Sequence, residues 1–276
     1  VDFRYITHAR EVTRDIHIEE VKPKRDAIYD LCTKYRISKL GFDGSHVPYN
    51  VFKSWAENLV GISLVPMNNA IEEIRRAKEP EEIAAIMAAI DAATRAFTDV
   101  LGLVKPGSTE REIADELDHA MRKRGAQGPS FETIVASGPR GALPHAEPSD
   151  RKLEEGETVI IDYGAAVAGY CSDETVTVCL GEIPDKLSEI YAIVNDARKL
   201  GIEKARAGTS IAQLDSIVRG YIEEHGYGDC FRHGLGHGVG IAVHEAPGIN
   251  SVARGVLEEN MVVTIEPGIY LPNIGG

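Results

Sequence analysis

From residue 80 onward the chain switches repeatedly between two hydrophobic periods. Ile83, Ile86, Met87, Ile90, Phe97 and Leu101 recur at helical spacing and predict a long amphipathic helix that ends before Pro106-Gly107. Pro80 suits its first turn, and Glu81-Glu82 suit its positive end. A second helix is predicted next, with Thr109 and Glu112 in capping-box spacing, Ile113, Leu117 and Met121 down one face, and a stop at Gly125. Runs 131–137 and 159–161 then read as strands, and Thr175-Val176-Thr177-Val178 as a β-branched strand. Before residue 70 the pattern is finer-grained. A helical stretch at 26–35 and short strands at 39–43 and 61–65, bounded by Gly, Pro and Asn, predict a small α/β unit. The expected division is 1–70 and 71–276.

The design of the larger part recurs. At an offset of 101 residues, Ile113, Leu117 and Met121 fall on Leu214, Val218 and Ile222, and each of these helices follows another long amphipathic one, the later at about 185–206. Residues 153–164 also align without gaps on 257–268, with six of twelve positions identical, and Asp162 faces Glu266. Helical signals alone recur by chance, but the strand match in the same order favours a duplication. Such a repeat brings equivalent strands together about a pseudo-twofold axis and sets Asp162 and Glu266 near a shared centre.

Composition narrows the partners. With 30 Lys+Arg against 43 Asp+Glu, the net charge of −13 repels phosphate backbones and argues against nucleic acid. The longest apolar runs fall far short of the ~20 residues that span a bilayer, so no membrane partner is expected. Cys32, Cys171, Cys179 and Cys230 show no metal spacing and are too sparse for a disulfide scaffold, which points to a reducing, cytoplasmic setting.

Chemistry concentrates in a few places. Asp162 ends an apolar run, where a carboxylate is costly unless partnered, although taken alone it reads rather as a turn cap before Gly164. Asp173 follows after the turn Ala168-Gly169-Tyr170; two carboxylates presented together repel, and a cation between them removes that cost. Residues 233–245 hold His233, His237 and His244 among four glycines, a pattern with no purpose in a plain core strand. His145 follows the first-half strands and stands near the place that His244 takes in the second half. His8, His17 and His46 are isolated and read as surface or structural residues.

At these residues the chain resembles a family. The run 233–245 is similar to the signature of the metal-dependent Xaa-Pro peptidases, the aminopeptidase P and prolidase group with the pita-bread fold. Asp162-x-Gly164, Gly169-Tyr170-x-Ser172-Asp173 and Glu266-Pro267-Gly268 stand at the places that this pattern requires, and 131–138 looks typical of bacterial members. The resemblance covers about 71–276, and Val1-Asp2-Phe3-Arg4-Tyr5 resembles the middle of the family's N-terminal domain. It implies an α+β protein: a duplicated pita-bread catalytic domain with a partial N-terminal α/β creatinase-like domain.

Carried over by position, the resemblance implies that Asp162 chelates one metal, Asp173 bridges two, and His237 and Glu266 bind the second. His145 and His244 would flank the substrate and stabilise the tetrahedral intermediate, and His233 would line the subsite after the scissile bond. Two divalent ions are expected, manganese first, with cobalt or zinc possible for a ligand set rich in carboxylates. Ions ~3.5–4 Å apart would share a hydroxide that attacks the carbonyl before proline, with Glu266 as proton shuttle. The expected partner is a proline-containing di- or oligopeptide, and the expected assembly a homodimer. Methionine aminopeptidase, creatinase and a non-catalytic peptide-binding module are rival readings of the same fold. Retention of Asp162, Asp173, His237 and Glu266 together disfavours the last two. Thr175-Val176-Thr177 departs from the family's Thr-Arg-Thr, and a fifth ligand, a glutamate in an Arg-x-Glu motif, has no counterpart before Gly276. The natural chain is therefore expected to run on, with an acidic bridging ligand within about 15 residues of Gly276.

Overall fold

The computed structural model describes residues 1–21 and 24–276, with only the backbone described for 24–26, and divides into units Val1–Ile71 and Glu72–Gly276. In the first unit, two short parallel strands, β1 (Lys39–Phe42) and β2 (Ser63–Pro66), are joined through a helix, as parallel neighbours require. Its helices are α1 (Ile6–Val12), α2 (Lys24–Lys34) and α3 (Tyr49–Asn58). The apolar run behind α3 is short, so the sequence pattern had not revealed it. It starts directly after Pro48 and turns Phe52 and Trp55 toward Phe42, with ring centroids 5.3 and 6.5 Å apart. The helix α4 (Ala70–Arg75) carries the chain into the second unit.

The second unit is built twice from the same plan. In the first half, α5 (Pro80–Val100) and α6 (Glu110–Lys123) cover a three-stranded antiparallel sheet of β4 (Ile134–Ser137), β5 (Thr158–Tyr163) and β8 (Glu174–Cys179), with β5 in the middle. A second small sheet is formed by β3 (Gly128–Pro129), β6 (Ala165–Val167) and β7 (Tyr170–Cys171). In the second half, α7 (Asp185–Lys204) and α8 (Ile211–Glu224) cover β9 (Gly236–Gly238), β10 (Glu245–Ile249) and an extended segment at 261–266. That segment, expected as a strand, is hydrogen-bonded along 235–239: Val239 N–H donates to Val262 O at 3.0 Å, Thr264 N–H to His237 O at 2.8 Å and Glu266 N–H to Leu235 O at 2.9 Å. Its ladder is too interrupted for a regular strand, yet its place against 235–239 matches that of β5 against β4.

Packing bears out the repeat. Ile113, Leu117, Met121, Leu214, Val218 and Ile222 all have 0% exposure, so the two matched helical faces are equally buried in two separate cores. Caps form as the sequence predicts: Glu112 N–H donates to Thr109 Oγ1 at 3.1 Å while Thr109 N–H donates to Glu112 at 2.8 Å. The buried face of α5 differs from expectation. It runs through Ile86, Ala89, Ala93, Ala96 and Val100, whereas Met87 and Leu101 are exposed. The small alanines let the helix lie close to β6 and β7, and apolar periodicity counted on large residues alone misplaces the face.

Candidate metal centre

Each half delivers one carboxylate at the end of a central extended segment, Asp162 on β5 and Glu266 after Ile265. Asp173 sits between β7 and β8 on a short turn held from both sides. Ser172 N–H donates to Ala165 O at 2.8 Å, Ala165 N–H donates to Ser172 Oγ at 3.0 Å, and Ser130 Oγ donates to Ser172 O at 2.7 Å. The Ser172 backbone passes so near Gly164 that any side chain there would collide with it, which accounts for the glycine two residues after Asp162. The same logic applies to His237. Gly236 and Gly238 flank it where the Thr264 and Ala246 carbonyls press against the strand, leaving no room for a Cβ.

These elements bring three sequence-predicted groups within reach of one point. Nε2 of His237 lies 3.3 Å from Asp173 Oδ2 and 3.1 Å from Glu266 Oε1, and the ligand atoms of all three lie within 4.8 Å of one another. Asp162 joins them electrostatically. Burial, then the charge of Asp173, pushes its carboxyl up to about 7, against a 2.8 Å hydrogen bond from Thr175 Oγ1. Burial would lower His237, but its hydrogen bonds to Asp173 and Glu266 win and raise it to about 10. Burial likewise pushes Glu266 upward, and hydrogen bonds from His237 and Thr264 more than reverse this.

A cation fits this arrangement. Nδ1 of His237 faces its neighbour's carbonyl, Gly238 O, at 3.0 Å, so in the neutral ring it is Nδ1 that carries the hydrogen and Nε2 that offers a lone pair. That lone pair then points at two carboxylates, an arrangement that only a proton or a cation makes favourable. The raised affinity of His237 for a proton shows how strongly the site demands positive charge.

The remaining predicted residues converge on the same cavity of about 780 Å³, which His145, Asp162, Asp173, His233, His237, His244 and Glu266 all line. The His244 ring lies 4.3 Å from that of His237, and His233 Nε2 lies 3.0 Å from the Tyr270 hydroxyl. His145 follows a short helical turn, Gly138–Ala142, after β4. Sequence reading missed several residues that shape the site. Thr264 accepts the His237 N–H at 2.9 Å and donates to Glu266 Oε1 at 2.7 Å; its place two residues before Glu266 on an extended segment was a usable signal. For Glu245, already part of the run 233–245, what was missed is the partners: its almost wholly buried side chain faces Lys78 Nζ at 2.9 Å and the Arg75 guanidinium, pairings across 167 and 170 residues that no local pattern announces. Tyr270, pushed upward by burial, also gave no sequence signal.

The paired halves, with acids from equivalent segments meeting at the centre, define a duplicated pita-bread fold with the donor set of a metallohydrolase. The chain belongs to metallopeptidase family M24, which it matches over residues 84–276, and residues 1–77 match the creatinase/prolidase N-terminal domain. It is 40% identical over all of its length to the uncharacterized peptidase YqhT of Bacillus subtilis, covering 78% of that protein. It is 41% identical to the Xaa-Pro dipeptidase of Pyrococcus furiosus over 92% of this chain and 72% of that one. Among solved structures, the Xaa-Pro dipeptidase from Bacillus anthracis superposes with a TM-score of 0.96 at 39% identity, over the whole of this chain and 78% of that one. The prolidase from Pyrococcus furiosus does so with 0.92 at 38% identity, over the whole of this chain and 80% of that one. Membership of this family implies a divalent metal.

Proposed function

We propose that the protein hydrolyses the peptide bond before proline, as an Xaa-Pro dipeptidase or an aminopeptidase P, with two divalent ions at the cluster. The observation that carries the reading is His237 Nε2 between Asp173 and Glu266, in a cavity that also gathers Asp162, His145, His233 and His244. The Xaa-Pro dipeptidases and the prolidase among its relatives support the substrate class. Asp162 and Asp173 would hold one ion, and Asp173, His237 and Glu266 the other. Carboxylates with one imidazole suit manganese first, then cobalt or zinc. When bound, such a pair supplies Lewis acidity and a nucleophilic water near neutral pH.

The protein's own groups do the rest. Glu266, oriented by the Thr264 hydroxyl, takes a proton from the attacking water and returns it to the leaving imino nitrogen. His244, against the His237 ring, and His145 steady the charge that develops on the carbonyl oxygen, a role typically worth ~3–4 kcal/mol per donor. His233, backed by Tyr270, lines the subsite for the proline ring. Proline offers no amide N–H, so a pocket that selects the ring replaces the backbone contact that strand-reading proteases use. A cytoplasmic homodimer is part of the proposal; the cysteines are free thiols, as a reducing compartment permits.

The test is hydrolysis of Ala-Pro and Leu-Pro, with Ala-Ala as control and Ala-Pro-Ala as a longer substrate, in protein loaded with manganese. Cleavage confined to the bond before proline supports the reading, and the ratio of dipeptide to tripeptide rates separates the two enzyme types. A metal-loaded protein that cleaves none of them overturns it.

A further inference from the structure

Two carboxylates with 0% exposure, Glu110 and Asp215, take no part in the chemistry above. They occupy related places. Both sit on the second helix of their half, and at the 101-residue offset Asp215 corresponds to position 114, one helical turn beyond Glu110 on the same face.

Each ties down a segment that carries a cavity-lining histidine. Glu110 accepts from Ser137 N–H at 2.8 Å and Ser137 Oγ at 2.7 Å, from Ser149 N–H at 3.0 Å and Ser149 Oγ at 2.6 Å, and from Arg140 Nε at 2.9 Å. Ser137 and Ser149 are the two ends of the loop that bears His145, so one side chain closes that loop at its base. Asp215 accepts from Leu235 N–H at 3.1 Å and from Arg219 Nε and Nη2 at 3.0 and 2.9 Å. Arg219 in turn donates to Phe231 O at 2.7 Å and His233 O at 2.8 Å, and its guanidinium lies 4.3 Å from the centre of the Phe231 ring, which meets His233 edge-on. Leu235 O also accepts the Glu266 N–H at 2.9 Å, so the tie reaches within one peptide of the proposed proton shuttle.

Burying a carboxylate to fasten a helix to a sheet is a poor way to gain stability, since apolar side chains of similar volume do as well or better. What a carboxylate supplies and apolar contacts do not is direction: several donors at fixed angles on one atom pair. We propose that Glu110 and Asp215 are positioning residues, one per half, that hold the backbone of His145 and of His233 at the height the proposed hydrolysis needs. The inference rests on that functional reading for its kinetic part only.

The experiment compares Glu110→Gln and Asp215→Asn with His145→Ala and His233→Ala, singly and in pairs, on Ala-Pro in manganese-loaded protein. Hydrogen–deuterium exchange is mapped on the same samples. Glu110→Gln is expected to lower kcat about tenfold, and its pair with His145→Ala to fall no further than His145→Ala alone, since the acid acts through that histidine. Asp215→Asn is expected chiefly to raise KM, and to add nothing to His233→Ala. Exchange should quicken about tenfold within 138–148 for the first and 231–237 for the second, and stay unchanged elsewhere in the domain. Should either variant fail to fold, Ser149→Ala and Arg219→Lys remove part of the same ties and should show the same local pattern, more weakly. Additive losses in the pairs, or exchange that rises evenly across the domain, overturn the proposal. A wild-type protein inactive on every Xaa-Pro peptide removes the functional reading instead, and the exchange maps still decide whether the two acids hold these loops.

Discussion

His237 Nε2 lies 3.1 Å from Glu266 Oε1, two residues that the repeat places on neighbouring extended segments of one half. Asp173, from the other half, faces the same nitrogen at 3.3 Å. The cluster thus exists only when both halves are folded against each other, and its excess of negative charge is met by a proton on the imidazole or by metal.

That competition is measurable. With His237 raised to about 10, its ring is protonated at pH 7.5 in metal-free protein, and Asp162, near 7, is partly so. Loading must expel these protons. Titration calorimetry with manganese in buffers of different ionisation enthalpy should report release of about one proton or more per protein at pH 7.5. Loading should raise the melting temperature, and exhaustive chelation should abolish hydrolysis. Metal uptake without proton release would remove His237 from the ligand set.

Glu266 is both ligand and base in the proposed mechanism. Glu266→Gln keeps its shape and the contact with Thr264 but cannot take a proton, so turnover on Ala-Pro should fall by about 100-fold or more even in samples shown by elemental analysis to retain metal. His145→Ala and His244→Ala should lower turnover with metal content near wild type. A loss below about tenfold for Glu266→Gln would contradict the proton-shuttle role.

The sequence disclosed much of this because the duplication repeats its evidence. Six helical positions match across the two halves and all six are fully buried, and Asp162 and Glu266 stand out as strand-end acids only when their segments are superposed. The glycines around His237 were legible as close approaches, although what approaches, the Thr264 and Ala246 carbonyls, was not. Glu110, Asp215 and Lys78 stayed hidden for a common physical reason. A buried charge is recognised by its partners, and the telling ones lie away from it in the chain: Glu245 for Lys78, Ser149 for Glu110, and Leu235 for Asp215, whose other partner, Arg219, is four residues on and by itself reads as an ordinary helix-surface pair. Local patterning counts such residues as ordinary surface charges.

Lys78 offers a direct check on the chain around His244. Its side chain is 1% exposed and faces Glu245, the residue after His244, while Arg75 meets the other carboxylate oxygen. Lys78→Met leaves half of a buried ion pair, a change that typically costs ~3–5 kcal/mol when no other partner remains, and less here because Arg75 persists. Urea denaturation should show a loss toward the lower end of that range. Turnover should fall with it in protein that is still folded, because the peptide bearing His244 is then held through Arg75 alone. Equal stability and turnover in the variant would mean that Arg75 alone secures Glu245.

Acid sensitivity supplies the last test, and Glu110 supplies its sign. Burial pushes the Glu110 carboxyl upward, but the hydrogen bonds from Ser149 and Ser137 hold it below its ordinary value. The unfolded chain therefore takes up the proton first as pH falls. The stability from this group is fully present above the ordinary carboxylate pKa and is lost as pH drops through the lower, folded-state value. Glu110→Gln cannot titrate at this position. It should be less stable than wild type at about pH 6, and the gap between the two should close progressively toward about pH 3. Urea denaturation at intervals across that range measures the gap directly. A gap that stays constant with pH would show that the five donors around Glu110 do not favour its charged form.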